Sequence, residues 1–236
     1  MMTTDPKRDS RPIRWGVVIA WGVALLLFAL GGHALDDWGQ AQLRGYLFGA
    51  ENAFELDWQR LLRIQGSVIT WCVVGLCFVL MDWGKRPALH MKDAFSRGAL
   101  VVISGVLGGL FTEGLKIVLR RERPEDDGEY IFRPWSDGSQ GEAASLMEAL
   151  TTSGLGLPSS HAGVAAGALF ALSRIHPRLT ILCVFGILGC AMMRVQAGAH
   201  FISDTAVGIA VGVAAAWVVW RAHLTLVYGG KSQEQA

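Results

Sequence analysis

The chain is predicted to be all-α: a polytopic integral membrane six-helix bundle with an outer-face active site. Three observations predict it. The first is a series of six apolar runs, at about 15–32, 66–82, 98–119, 161–175, 179–197 and 203–220, most approaching the roughly 20 residues that a spanning helix needs. The second is composition: 52% of residues are hydrophobic and only 17% charged. A soluble fold of 236 residues would then have to bury several helices with almost no polar face. The third is the distribution of cations. Lys7, Arg8, Arg11, Arg14, Lys85, Arg86, Lys92, Arg97, Arg174, Arg178, Arg221 and Lys231 fall on one side of such a bundle. Outside the motifs described below, the other side holds Arg44, Arg60, Arg63, Arg120, Arg121 and Arg133. Because cytoplasmic connections carry the excess of Lys and Arg, both termini are expected in the cytoplasm.

The elements follow in order within a single domain, 1–236. The first run starts at Trp15 behind a basic segment. Those basic residues, the run and Gly32-His33-Ala34 also fit a signal peptide, whose cleavage would leave five spans. Next, Leu43, Tyr46, Leu47, Ala50, Phe54, Trp58, Leu61 and Leu62 recur at helical spacing with charges between them. They predict an amphipathic helix, lying on the outer leaflet or packed on the other spans. Residues 15–65 are thus an N-terminal span plus an interfacial helix, and 98–222 a motif-bearing core. The 161–175 run is short and needs the residues before His161 to help cross. Between runs three and four, residues 125–158 form the longest polar segment, rich in acids (Glu125, Asp126, Asp127, Glu129, Asp137, Glu142, Glu148) and glycine. A loop of that length between two motifs reads as a lid or head-group selector.

Net charge is +1, so no bulk attraction to nucleic acid is implied. Cys72, Cys77, Cys183 and Cys190 all lie inside apolar runs, so they read as small packing residues rather than disulfide partners or zinc ligands. Neither a metal nor another cofactor is expected.

Three polar clusters stand at the ends of the apolar runs: Lys116 with Arg123-Pro124, then Pro158-Ser159-Ser160-His161, then Arg194 with His200 and Asp204. Ionisable residues at a membrane span are costly and mark functional sites by default. Lys116 and Arg123 are seven apart, two helical turns, which predicts a shared face with Arg120 also on it. Pro124 predicts that the helix ends at Arg123. Ser159 is an N-cap candidate, and the N–H groups that follow it would form an anion site. Glu113 reads as a structural partner of Lys116. His200 and Asp204, four apart, would lie side by side on a helix starting near His200, so the carboxylate can orient the imidazole. Three cations, two histidines and an aspartate are the groups needed to hold a phosphate and attack it.

The pattern K-x6-R-P, P-S-x-H and R-x5-H-x3-D resembles the type 2 phosphatidic acid phosphatase superfamily, which also holds vanadium haloperoxidases and bacterial acid phosphatases. Two positions depart from it: Ser160 stands in place of a glycine and Met193 in place of a serine. The resemblance implies metal-independent phosphoryl transfer. His200 would be the nucleophile that becomes phosphohistidine, Asp204 its orienting partner, and His161 the acid that protonates the leaving oxygen. Lys116, Arg123, Arg194, Ser159 and Ser160 would cradle the phosphate, with Arg120 and Arg121 supporting those residues or contacting a diphosphate. The substrate would be an amphiphilic phospholipid or isoprenoid phosphate, met at the outer face of a bacterial cytoplasmic membrane, with no obligate protein partner. Candidates are undecaprenyl pyrophosphate, phosphatidylglycerol phosphate, phosphatidic acid and lipid A. Alternatives are a lipid phosphotransferase and, from a different class, a lipid-binding membrane protein with a degenerate site.

Overall fold

The structure is a computed structural model, and it describes residues 15–43, 56–83, 91–124, 129–134 and 154–228. Its elements are α1 (Trp15–Ala34), α2 (Asp36–Gln42), α3 (Asp57–Ile64), α4 (Val68–Trp83), α5 (Met91–Leu119), α6 (Ser160–Ile175), α7 (Thr180–Gln196) and α8 (Ile202–Tyr228), with a 3₁₀ turn, Pro177–Leu179, between α6 and α7. Among the described residues there is no strand, only two isolated antiparallel bridges, Arg121 with Phe132 and Glu122 with Leu155.

Each apolar run falls on a helix: α1, α4, α5, α6, α7 and α8 in turn. Among the described residues, three stretches are long and apolar enough to cross a membrane, Arg97–Leu119, Pro177–Gln196 and Ile202–Thr225. The pair Asp57–Ile64 and Val68–Met81, bent by 80°, makes a fourth if it counts as one span. The 16 residues of α6 extend about 24 Å at ~1.5 Å per residue, short of a hydrocarbon core of ~30 Å.

Helices α5, α6 and α8 pack against one another at the centre, and glycine sets how close they come. A Cβ at Gly108 would lie 2.5 Å, and one at Gly212 2.3 Å, from the Gly163 carbonyl oxygen. Without a hydrophobic drive between helices in lipid, such small-residue contacts are what let spans associate. Trp71, Val101, Leu169, Ile175, Cys183, Cys190 and Trp220 fill the interior. Outward-facing side chains are apolar as well: Ile69 is 75% and Ile181 73% exposed, alongside Leu110, Val118, Leu182 and Phe185. An apolar belt of that extent belongs against lipid. Cys183 and Cys190 are packing residues as expected, whereas Cys72 and Cys77 lie on the exposed side of α4.

Of the amphipathic stretch expected from Leu43 to Leu62, Tyr46, Leu47, Ala50 and Phe54 lie outside the described residues, which resume at Leu56. There α3 is packed and exposed at once. Leu62 fits against α7, where a Cβ on Gly189 would lie 2.7 Å from its Cδ2, while Trp58 and Leu61 remain exposed. Its last carbonyls are taken by the next helix: Thr70 Oγ1 donates to Ile64 O (2.7 Å) and Trp71 Nε1 to Gln65 O (2.7 Å). Satisfying those end carbonyls fixes the bend, and the bend carries α3 across the end of the bundle where the motifs gather.

Candidate active site

The site lies where α5 and α7 end and where α6 and α8 begin. His200 is the last residue but one before α8, and is 2% exposed. Asp204 is the third residue of α8 and is fully buried. His200 Nδ1 stands 3.5 Å from Asp204 Oδ2, longer than an ordinary hydrogen bond. That carboxylate is held from several directions. Its Oδ2 accepts the Phe201 N–H (2.8 Å), the reach-back of a third-position acid to the start of its helix. Its Oδ1 accepts from Arg121 Nη2 (2.5 Å). Its own carbonyl accepts the Ser159 N–H (2.9 Å), joining α8 to the start of α6. Burial pushes the His200 imidazole below its ordinary value, and the Asp204 carboxylate opposes that shift.

Behind Asp204 runs a buried polar chain. Arg121 Nη2 also donates to Ser203 Oγ (2.6 Å). The Ser203 N–H and hydroxyl both donate to Asp36, at 2.7 and 2.5 Å. Asp36, at the start of α2, is fully buried, and Tyr130 donates its hydroxyl to it (3.1 Å). Partial burial and then the Asp36 charge push the Tyr130 hydroxyl up to about 12, so it remains a donor. The Arg121 guanidinium lies 5.2 Å from the Tyr130 ring centroid and 5.1 Å from that of Phe201, cation–π range.

The cations sit opposite. Lys116 is 5% exposed, and its Nζ donates to Ser160 Oγ (2.8 Å) and Glu113 Oε1 (3.1 Å). Ser160 also donates to Glu113. Arg194 is 7% exposed, within electrostatic reach of Arg123 and Arg63. His161, half-buried in the first turn of α6, lies within reach of Arg194, His200, Arg63 and Lys116. Several buried polar atoms here have no hydrogen-bond partner among the described residues: Ser159 Oγ, Arg194 Nε, Arg121 Nε and His200 Nδ1. Buried polar groups are almost always paired. The Ser159 hydroxyl and the Arg194 guanidinium, beside a buried imidazole, are donors of the kind that bind an anion.

A family model for the PAP2 superfamily matches residues 97–228. The chain belongs to the PAP2 superfamily. It is 29% identical over 146 residues to a lipid A 1-phosphatase of Rhizobium johnstonii, covering 61% of this chain and 51% of that protein. It is 28% identical over 152 residues to a lipid A 1-phosphatase of Rhizobium etli, covering 59% of this chain and 60% of that protein. The chain thus spans between half and three-fifths of the length of these curated relatives. No solved structure matches it significantly.

In this PAP2 chain the three clusters come to one end of the bundle, but not with every local geometry expected. The α5 helix stops at Leu119, four residues before Arg123. Arg120 takes a left-handed conformation (φ 53°) and its N–H closes the helix on Lys116 O (2.8 Å). Arg123 therefore shares no helical face with Lys116. It lies exposed on an extended segment whose N–H groups bond Ile131, from Glu122 (2.8 Å), and Gly154, from Arg123 (2.9 Å). Arg120 Nε donates to Arg133 O (3.1 Å), a backbone-bracing contact. Ser159 occupies the N-cap position of α6 without making the side-chain cap bond, which leaves its hydroxyl unspent. The Ser160 hydroxyl is engaged by Lys116 and Glu113, where the expectation had it on phosphate. The α8 helix begins at Ile202, near His200, and sets His200 and Asp204 side by side as expected. Most of the 125–158 segment lies outside the described residues. Sequence reasoning missed Asp36 altogether; of the two roles it gave Arg121, support of the site or a diphosphate contact, the structure has the first, with Arg121 holding Asp204.

Proposed function

We propose that the chain is a lipid phosphate or diphosphate phosphatase that works through a phosphohistidine at the outer face of the cytoplasmic membrane. In this reading all six apolar helices cross or enter the bilayer, and the site faces outward. One observation carries it: a buried imidazole, beside a carboxylate that is itself held by the Phe201 N–H and Arg121, lies near the unpaired buried donors of Ser159 and Arg194. The relatives' names, both lipid A 1-phosphatase, support a lipid phosphate as substrate.

The chemistry runs in two steps. His200 Nε2 attacks phosphorus while the bond to the leaving oxygen breaks, and His161 gives that oxygen its proton. Water then attacks the phosphohistidine as His161 takes the water's proton, and the nitrogen–phosphorus bond breaks to release phosphate. Asp204 orients His200 and stabilises the positive charge it acquires. Lys116, Arg123 and Arg194 offset the charge of the phosphoryl oxygens.

The test is phosphate release by purified protein in detergent from a panel of lipid phosphates, with His200→Ala alongside. By analogy with nucleophile losses elsewhere, the variant loses about 10⁴–10⁶-fold; retention of more than about a tenth of the rate contradicts the assignment. Sidedness is read separately, with single cysteines at Glu129 and Arg178 on a background without the native four. An impermeant maleimide labels the first on intact spheroplasts and the second only after lysis; the reverse pattern moves catalysis to the cytoplasmic face.

A further inference from the structure

One open cleft leads to His161 from outside the motif residues. It has a volume of about 550 Å³ and is lined by Arg60, Arg63, Ile64, Ser67 and His161. Four of these five residues come from the bent corner between α3 and α4. That corner is pressed onto the site: a Cβ on Gly66 would lie 2.6 Å from His161 Cβ and 2.9 Å from its Cα. Arg63 is within electrostatic reach of both His161 and Arg194. Arg60 and Arg63 are exposed, so substrate can meet their guanidinium groups.

The position of His161 gives this cleft a chemical direction. In the proposed reaction His161 protonates the leaving oxygen, so whatever lies on its far side is the leaving group. A simple lipid alcohol needs no cation there. Two arginines standing over that space favour a leaving group that carries negative charge of its own, and guanidinium is the side chain whose geometry matches phosphate oxygens two at a time.

We propose that the cleft is a leaving-group subsite in which Arg60 and Arg63 select substrates with an anionic group on the leaving-group side. A lipid diphosphate fits most directly, its inner phosphate leaving as part of the lipid monophosphate. This rests on the reading of His161 as the acid. The same chemistry has a second source, a separate phosphate elsewhere on a sugar head group.

Three substrates separate the sources: an isoprenoid diphosphate, the monophosphate of the same isoprenoid, and a glycolipid phosphorylated at both ends of its disaccharide. Wild type, Arg60→Gln, Arg63→Gln and Arg63→Lys are compared with each. Losing a charge-assisted hydrogen bond predicts that Arg63→Gln raises KM for the diphosphate about tenfold or more. The monophosphate changes less than about threefold, and Arg63→Lys recovers part of the loss. Both arginines are exposed, and surface substitutions rarely disturb folding. An effect confined to the doubly phosphorylated glycolipid assigns the subsite to a remote phosphate. An equal loss on all three, or none on any, overturns the proposal. If wild type releases phosphate from no lipid, the phosphatase reading itself has failed; if it does and the arginines discriminate nothing, only the subsite has.

Discussion

Arg121→Gln isolates what holds the orienting carboxylate. Arg121 is 5% exposed and bonds both Ser203 and the fully buried Asp204 through one nitrogen. Substitution leaves Asp204 with the Phe201 N–H and His200 around an otherwise uncompensated charge. Removing one partner of a buried ion pair costs about 3–5 kcal/mol. The lost contacts with the Tyr130 and Phe201 rings add to that. In a chain whose total stability is of the order of 5–15 kcal/mol this is a large fraction. At roughly 2 °C per kcal/mol or more, Tm falls by about 6 °C or more. Thermal unfolding of the detergent-solubilised protein measures that, and phosphate release measures kcat on the same sample. The double variant Arg121→Gln with Asp204→Asn removes the stranded charge, so it regains part of the Tm while activity stays lost. A single variant with the wild-type Tm and kcat would refute the reasoning, as would a double variant no more stable than the single.

Asp36→Ala opens the far end of the same chain. It strands the Ser203 N–H and takes the acceptor from the Ser203 hydroxyl, and costs about 1.5–3 kcal/mol, with a fall in kcat that Asp36→Asn partly spares; an unchanged Tm and kcat in Asp36→Ala would contradict it. Gly66→Ala drives a methyl group against His161. Overpacking of this kind costs about 1–3 kcal/mol, and the rate of leaving-group protonation falls more than substrate affinity, seen as a drop in kcat at near-constant KM. On pH, His200 is lowered in the folded protein from an ordinary value of 6.5, chiefly by burial. The imidazole is then neutral, and competent as a nucleophile, from below pH 6.5 upward. Its stability contribution is complete above that unfolded value and is lost as pH falls through the folded one. The acid limb of kcat therefore lies below about 6.5; a limb above 7 assigned to His200 would contradict the burial argument.

Much of the bundle was legible because its signal is local. Each apolar run declares a helix by itself, and each cluster sits where its run stops, so the gathering of Lys116, His161, Arg194 and His200 at one end follows from alternating direction alone. The end of α5 was misread for a definite reason. Pro124 restricts only Arg123, whereas the chain leaves the helix earlier, at a left-handed Arg120, because residues 121–123 bond to Phe132, Ile131 and Gly154. Such pairings are made by segments distant in sequence and leave no mark on residues 116–124. The Asp36–Ser203 contact spans 167 positions, and Asp36 follows a span end, where an acid has ordinary uses. Arg60 and Arg63 were legible only as charges on an amphipathic helix. Their role depends on the 80° bend that turns them toward His161.

The covalent step is the centre of the account, and it can be trapped. Protein mixed with a lipid phosphate labelled in its terminal phosphorus is quenched in base, which preserves phosphohistidine, then digested and mapped by mass spectrometry. The label is expected on His200 and on no other residue. It should accumulate when His161→Ala slows the attack of water, provided a substrate with a good leaving group still allows the first step. Label on a different side chain, or turnover by His200→Ala at more than about a tenth of the wild-type rate, would contradict the account.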